Sequence, residues 1–472
     1  MSDKKPHSVP VPQLYKEASR ILKRLEAREG SLKTLVYGSK YKNYRKIYAV
    51  LQKAWNHSSR TKHILAASKL FKEQPNFDPH LAQVLTSELL EKGSLSGDCK
   101  PVQVLLKYEE ELKSLAANTL CEEKEMVQSR SHYPRYVRVN TLVASVEAVR
   151  SQLAEEGWWA LEYDRNQITY DHFLHLMENL KEHQYLVDYH LPELLVFPPN
   201  TPFWDSVLYR ENAVILQDKA SCLPVFISNI RPGASVLDAC AAPGNKTSQI
   251  AALINNTGRV IASEKSFSRY KTLKKLLHQR GASCVTTVNK DFTKLPQDLT
   301  AGIEHIFLDP TCSSSGTTLH KDEIPQERLQ NLAAFQVHLL LHALSHPSVQ
   351  EVVYSTCSLN AEENEEVVQS VLNQHEKEFE LENLQSKLQG WKHFGKERYE
   401  CGKYCLRTVT DIDKCHGFFV AKFMRKKPTC QKNEAPKGKK HKRTNDLESC
   451  RMKKKRNIKQ RKKLVAVATD GN

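Results

Sequence analysis

Two cysteines stand where a thiol could act as a nucleophile. Cys357 follows the apolar run Val352-Val353-Tyr354 in Glu351-Val-Val-Tyr-Ser-Thr-Cys-Ser-Leu-Asn360. That run reads as a buried strand. Asn360 is expected to open a helix, with Glu363 completing a capping box three residues on. A thiol between a strand exit and a helix N-terminus meets backbone N–H groups and the positive end of the dipole, which favour the thiolate. Cys312 follows a second expected strand, His305-Ile-Phe-Leu-Asp309, in the loop Asp309-Pro-Thr-Cys312. Taken singly, either cysteine is a small buried residue at a strand end. Acids supply the second signal. Asp238, Glu264, Asp291 and Asp309 stand at the ends of four successive expected strands. In doubly wound sheets, ligands sit outside those ends at the point where strand order reverses.

The loop after the first of these strands is Cys240-Ala241-Ala242-Pro243-Gly244-Asn245-Lys246. Its small residues let a ligand come close to the backbone. It lacks the Gly-x-Gly-x-x-Gly fingerprint of dinucleotide sites. Acids on consecutive strands without that fingerprint suit an adenosine with a cationic sulfonium better than a pyrophosphate. An acid at the second strand's end, Glu264, can hold ribose hydroxyls. Two thiols facing such a crevice fit one reaction well. C5 of cytosine is a poor nucleophile, and a thiolate added at C6 makes it enamine-like, able to attack a methyl sulfonium. A second thiol can then assist breakdown of the adduct. Asp309 can hydrogen-bond the base edge and favour protonation at N3.

The elements that must position these residues alternate strand and helix from about residue 212 to 424. Strands are expected at 235–238, 259–264, 283–288, 305–309, 351–354 and 417–423, with helices between them. This implies a mostly parallel, Rossmann-like α/β sheet with helices on both faces. Before it, residues 126–211 read as a small α+β subdomain. Its strands are Tyr136–Val139, Trp158–Glu162 and Leu194–Phe197, with an amphipathic helix over 144–156. The polar and aromatic segment 164–190 interrupts the pattern and reads as an insertion. Residues 1–125 read as a helical accessory bundle, with apolar residues at helical spacing over 14–25, 44–55, 60–74, 79–92 and 101–120. Lys40, Lys42, Arg45 and Lys46 beside Tyr41, Tyr44 and Tyr48 could meet RNA, but a solvated helix face is the better explanation.

At 472 residues the chain needs more than one core, and 40% apolar residues suffice to build them. No apolar run approaches the length of a membrane span, and no signal peptide or membrane contact is expected. Twelve irregularly spaced cysteines point to free thiols in a reducing compartment. The group Cys401, Cys405, Cys415 and His416 lacks paired Cys-x-x-Cys knuckles, so no metal site is expected. The net charge of +16 is concentrated in the last domain, residues 425–472, where between Arg425 and Lys463 eighteen Lys or Arg face three acids. Such a tail cannot bury a core and is expected to be disordered, serving nucleolar targeting or non-specific phosphate contact.

Four motifs carry a family resemblance: Asp238-Ala-Cys-Ala-Ala-Pro-Gly-Asn-Lys-Thr247, Asp309-Pro-Thr-Cys-Ser-Ser-Ser-Gly316, Tyr354-Ser-Thr-Cys-Ser358 and His416-Gly-Phe-Phe-Val-Ala-Lys-Phe423. They resemble the Sun-domain (Nol/Nop/Sun) RNA cytosine-5 methyltransferases. Tyr136-Val-Arg-Val-Asn-Thr-Leu142 is similar to that family's N-terminal motif. The match covers roughly 136–423, and the helical N-terminus and basic tail look most like the branch associated with large-subunit ribosomal RNA. The resemblance implies S-adenosyl-L-methionine as methyl donor and ribosomal RNA or a pre-ribosomal particle as substrate, in the nucleolus; a monomer is expected, although oligomeric state is not readable from the sequence. It implies Cys357 as the nucleophile and Cys312 as the group that assists product release. It places the donor against Cys240 to Lys246, with Glu264 on its ribose, Asp291 near its adenine, Arg269 as a further binder and Asp309 between donor and cytosine. Thr311 departs from the family's usual proline, which bears on the rigidity of that loop. Thr410 departs likewise, and Arg407 is assigned no role. The competing readings are a non-catalytic RNA-binding assembly factor and a transfer RNA methyltransferase.

Overall fold

The computed structural model describes residues 9–27, 29, 32–118, 133–317 and 324–427. The basic tail lies outside the described residues apart from Arg425, Lys426 and Lys427. The N-terminal helices begin with Gln13–Glu26 and end with Glu109–Asn118. They share a core that includes Leu14, Ile21, Leu22, Ile47, Leu51, Leu85 and Leu112. Local chemistry sets their limits. Helix Pro79–Lys92 starts where the Asp78 side chain accepts from the Leu81 N–H at 2.6 Å and stops at Gly93, whose φ of 71° needs no Cβ accommodation. The helical pattern over 101–120 is two helices, Lys100–Leu106 and Glu109–Asn118.

A five-stranded sheet follows. Its strands are β1 (Arg135–Val139), β2 (Trp159–Ala160), β3 (Gln184–Val187), β4 (Leu194–Phe197) and β5 (Val214–Leu216), in the order β2-β3-β4-β1-β5. Alternation along β1 sends Val137 and Val139 to one face, where Val149 and Leu153 of helix Val146–Glu155 pack. Tyr136 faces the other way and packs with Phe173 and Met177 of helix Tyr170–Glu178. The segment 164–190 is therefore no insertion. It supplies β3, paired antiparallel to β4, and a helix of the core. It also supplies Asp188, fully buried, 2.8 Å from the equally buried Lys219 ammonium. Lys219 Nζ lies 3.1 Å from His190 Nδ1 and 4.9 Å from the Tyr170 ring centre. Polar and aromatic residues read as surface here because their partners lie far along the chain.

The second sheet contains β6 (Ser235–Asp238), β7 (Arg259–Ser263), β8 (Val285–Val288), β9 (His305–Leu308), β10 (Glu351–Thr356), β11 (Phe379–Leu381), β12 (Leu406–Thr408) and β13 (Phe418–Arg425). The order is β11-β13-β10-β9-β6-β7-β8, with β12 beside β13. The five central strands run parallel, and β13 returns antiparallel to β10. This is the expected α/β, Rossmann-like sheet. Strand order reverses between β6 and β9, so their carboxyl ends open a crevice there. β9 and β10 are parallel neighbours with Leu308 opposite Tyr354. Their exits, which carry Cys312 and Cys357, are consequently side by side.

Candidate active site

Cys357 leaves β10 directly, and Cys312 lies four residues beyond the end of β9. Their sulfur atoms are 3.2 Å apart. The hydrogen bond from Cys312 pulls the Cys357 thiol below the ordinary thiol range, against its burial, and the Lys246 ammonium adds to the effect. The same contact, followed by burial, pushes Cys312 well up. The pair is thus asymmetric: Cys357 is the thiol favoured to ionise, and Cys312 the one favoured to keep its proton. Ser314 Oγ lies 3.4 Å from Cys357 Sγ, a further contact that lowers the Cys357 thiol.

Lys246 reaches the pair from the first turn of helix Asn245–Leu253. Its Nζ sits 2.6 Å from Asp309 Oδ2, 3.4 Å from Ser221 Oγ and 5.1 Å from the Phe418 ring centre. Burial opposes its charge, but Asp309 outweighs burial and holds the ammonium above the ordinary lysine range. The other Asp309 oxygen accepts from Ser355 Oγ at 3.3 Å. Asp309 and Lys246 thus form one charged pair at the exits of β9 and β6.

The loop before Lys246 is drawn tight against the sheet. Ala241 N–H donates to Ser263 O at 3.0 Å, and Ala241 and Ala242 are buried. Pro243 is exposed, Cys240 is half-buried, and burial pushes the Cys240 thiol up. Gly244 has φ 104°, and a Cβ there would meet Leu273 Cδ1 at 3.0 Å. Arg280 donates to Gly244 O at 3.2 Å and to Asn245 Oδ1 at 2.9 Å. Arg138 of β1 donates to Ser248 Oγ at 2.9 Å and to Gln217 Oε1 at 2.9 Å, so the Tyr136–Leu142 motif braces the helix that follows the loop. Asp238 accepts from Thr247 Oγ1 at 2.7 Å, and burial raises its carboxyl to about 6.

Glu264 is buried just past β7. One oxygen accepts from the Ser266 N–H at 2.8 Å and the other lies 3.3 Å from Arg269. Arg269 also donates to Ala242 O at 2.6 Å, which ties the acid to the loop. Each Glu264 oxygen retains a lone pair for a hydroxyl. Asp291 caps the short turn Phe292–Lys294, accepting from Thr293 N–H and Oγ1. Those bonds, with Lys265 at 3.7 Å, outweigh its burial and hold the carboxyl below the usual range. A side-chain-poor loop with acids on the neighbouring strands fits a nucleoside carrying a cationic centre. Among the described residues no cluster of three or more metal-ligating side chains occurs.

The expected capping box does not form. The helix after β10 is Glu365–His375, with Asn364 at its N-cap. Cys357 is therefore separated from the helix start, and its thiolate owes its stability to Cys312 and Lys246 rather than to a helix dipole. Glu363 has other work. Its Oε1 accepts from Ser313 N–H at 2.8 Å and Gln336 Nε2 at 3.2 Å. Its Oε2 accepts from Ser313 Oγ and Ser358 Oγ, both at 2.5 Å, and from Asn360 Nδ2 at 3.3 Å. Gln336 also donates to Thr311 O at 3.1 Å, so the loop is held at the position where the family's proline is missing.

Two further contacts hold the loops. Arg407, assigned no role from the sequence, forms a fork of two 2.6 Å hydrogen bonds with the buried Glu365 and donates to Leu359 O at 3.1 Å. Gly316 N–H donates to Cys357 O at 2.9 Å, and Gly417 N–H donates to Gly316 O at 3.0 Å. A Cβ on Gly316 would lie 2.1 Å from Gly417 O. The Glu363 network had one sequence signal, the serine run 313–315 facing a second serine after Cys357. Only the parallel pairing of β9 and β10 brings the two together.

Comparison with known proteins shows the family to which the chain belongs. The family model described as 16S rRNA methyltransferase RsmB/F matches residues 225–424. Two models of NOL1/NOP2/Sun domain family member 5 match earlier segments: the ferredoxin-like domain at 133–217 and the N-terminal domain at 45–129. A 28S rRNA (cytosine-C(5))-methyltransferase of Mus musculus is 38% identical over 432 residues, 87% of this chain and 91% of that protein. One from Drosophila melanogaster is 33% identical, covering 90% of this chain and 98% of that protein. The 25S rRNA (cytosine-C(5))-methyltransferase rcm1 of Schizosaccharomyces pombe is 30% identical over 86% of this chain and 90% of its own length. Among solved structures, PH0851 shares the fold with a TM-score of 0.60 at 21% identity, over 88% of this chain and all of that one. A methyltransferase homologue from Pyrococcus horikoshii gives 0.51 at 23% identity, over 72% of this chain and 98% of that one.

Proposed function

Because the chain belongs to the NOL1/NOP2/Sun domain family, in the branch of its fifth member, we propose that it methylates C5 of a cytosine in large-subunit ribosomal RNA. It is an rRNA cytosine-5 methyltransferase. The observation that carries the residue roles is the asymmetric thiol pair, 3.2 Å apart, beside the Lys246–Asp309 ion pair. The Cys357 thiolate adds to C6 of the cytosine, and Asp309 accepts a hydrogen bond from the base edge, so that charge moves onto C5. S-adenosyl-L-methionine, when bound, supplies an electrophilic methyl group to that carbon. Cys312 serves the breakdown of the adduct: water takes the C5 proton, the C5–C6 double bond re-forms, and the C6–S bond breaks with its electron pair returning to Cys357, whose leaving sulfur the Cys312 S–H stabilises. Lys246 keeps Asp309 oriented and stabilises the Cys357 thiolate. Glu264 and Asp291 hold the donor's ribose and adenine, the backbone of Cys240 to Lys246 lines its flank, and Arg269 fixes Glu264. The RNA must present its cytosine unstacked, from a loop or by flipping. The basic tail adds sequence-independent phosphate contact and suits a nucleolar protein.

The test is denaturing electrophoresis of the Cys312→Ala protein after incubation with labelled S-adenosylmethionine and large-subunit rRNA. A protein–RNA adduct that disappears in Cys312→Ala/Cys357→Ala is the expected result. Absence of both adduct and methylated cytosine, on naked RNA and on pre-ribosomal particles, refutes the assignment.

A further inference from the structure

We propose that Glu363 is a positioning residue for this reaction: its buried carboxylate draws the Cys312 loop onto the Cys357 loop and so sets the spacing of the two thiols. The proposal rests on the function given above, but its geometric half is testable without it. Glu363 is fully buried, and among the described residues its hydrogen-bond partners are all neutral. That is costly unless its lone pairs are filled, and they are. The donors come from three directions. Ser313, next to Cys312, gives its N–H and its hydroxyl. Ser358, next to Cys357, gives its hydroxyl. Gln336, on helix Gln326–Leu344, gives one N–H to Glu363 and one to the Thr311 carbonyl.

The carboxylate is therefore the charged group that accepts from the residue following each cysteine, while Ser315 and Asn360 also reach both as neutral partners. Ser313 Oγ and Ser358 Oγ are also 3.0 Å from each other, which closes the ring. The Glu363 charge also falls on one thiol preferentially. It contributes to the raised Cys312, whereas the largest influences on Cys357 are Cys312, burial, Asp309, Ser314 and Lys246. The same residue thus holds the loops together and helps leave the proton on Cys312.

Glu363→Gln tests this with little change in shape. An amide oxygen in the Oε1 position still accepts from Ser313 N–H, but the amide nitrogen then faces the Asn360 amide, donor against donor. The flipped amide turns the same conflict onto the Ser313 N–H and Gln336. The first readout is capture of phenylarsine oxide by the full-length chain, without RNA or methyl donor, because one trivalent arsenic must bond both sulfurs. The signal is assigned to this pair as the part lost in Cys312→Ala. The second readout is turnover and adduct on large-subunit rRNA.

Adduct formation needs Cys357 alone, whereas release needs both thiols. Glu363→Gln is expected to weaken arsenical capture about tenfold or more, lower turnover similarly and accumulate RNA adduct, the scale expected for a lost charge-assisted hydrogen bond. Unchanged capture overturns the proposal, whatever happens to turnover. Lost turnover without adduct, in step with a lowered unfolding temperature, marks a merely structural residue and overturns it too. If Glu363→Gln does not fold, Gln336→Ala removes one donor and the Thr311 link and is expected to shift both readouts the same way. Arsenical capture by a wild-type protein that neither methylates nor cross-links RNA would sink the functional reading and leave the positioning role standing.

Discussion

Cys312 Sγ lies 3.2 Å from Cys357 Sγ, and this contact lowers the Cys357 thiol while raising Cys312, the sense of a pair in which Cys312 is the donor. Removing the donor should raise the Cys357 thiol toward its ordinary range of about 8.5. Iodoacetamide alkylation of Cys357, followed by mass spectrometry against pH, is expected to have its midpoint below that range in the wild type. In Cys312→Ala the midpoint moves to higher pH. Coincident profiles would show that the contact does not set the thiolate.

Lys246 and Asp309 are each other's main counter-charge. Lys246→Met leaves Asp309 beside Cys357 with its charge uncompensated, which opposes thiolate formation and frees the base-binding carboxylate. Single-turnover methylation should fall by about 10²–10³, the scale of removing a preorganised electrostatic group. A fall in donor affinity with an unchanged chemical rate would instead move Lys246 to the cofactor.

Arg407 and Glu365 form a forked pair, nine-tenths or more buried on both sides. Removing one partner of such a pair leaves a buried charge, at a cost of about 3–5 kcal/mol. Arg407→Ala should lower the urea unfolding free energy by that order. Glu365→Gln/Arg407→Met should recover much of it.

His190 is depressed to about 4, first by burial and then by the Lys219 ammonium beside it. Its unfolded value is near 6.5, so the unfolded chain takes up the proton first. This contribution is complete above about 6.5 and is lost as pH falls from there toward 4, an effect of about 3 kcal/mol. Unfolding titrations of wild type and His190→Gln should diverge over that window, the wild type losing stability faster on acidification. The comparison matters because Asp238, raised to about 6 by burial, contributes with the opposite sign in the same window.

Sequence patterns disclosed what is periodic or punctual. The strand alternation of 235–423, the acids at strand ends and the two strand-exit cysteines could all be read locally, because side-chain direction alternates along a strand and loops follow strand ends. Contacts between distant segments could not. Asn360 and Glu363 have capping-box spacing, yet Glu363 is claimed by Ser313 and Gln336, and the helix starts later. Tyr170, Asp188 and His190 looked like an inserted surface until Lys219 and Trp391 closed over them. Arg407 was unreadable for the same reason, since its partner Glu365 lies on a different element.

The backbone seam between Gly316 and Gly417 has a consequence for how this enzyme can vary. The loop bearing Cys312 is fastened to β13 by main-chain atoms at a distance no side chain could share. Substitutions at either glycine are thus closed to drift, while exposed Thr311 and Thr317 beside the seam are open to it. The catalytic loop's tolerance is set by where side chains must be missing, and a directed library should spare those two positions and spend its diversity on their neighbours.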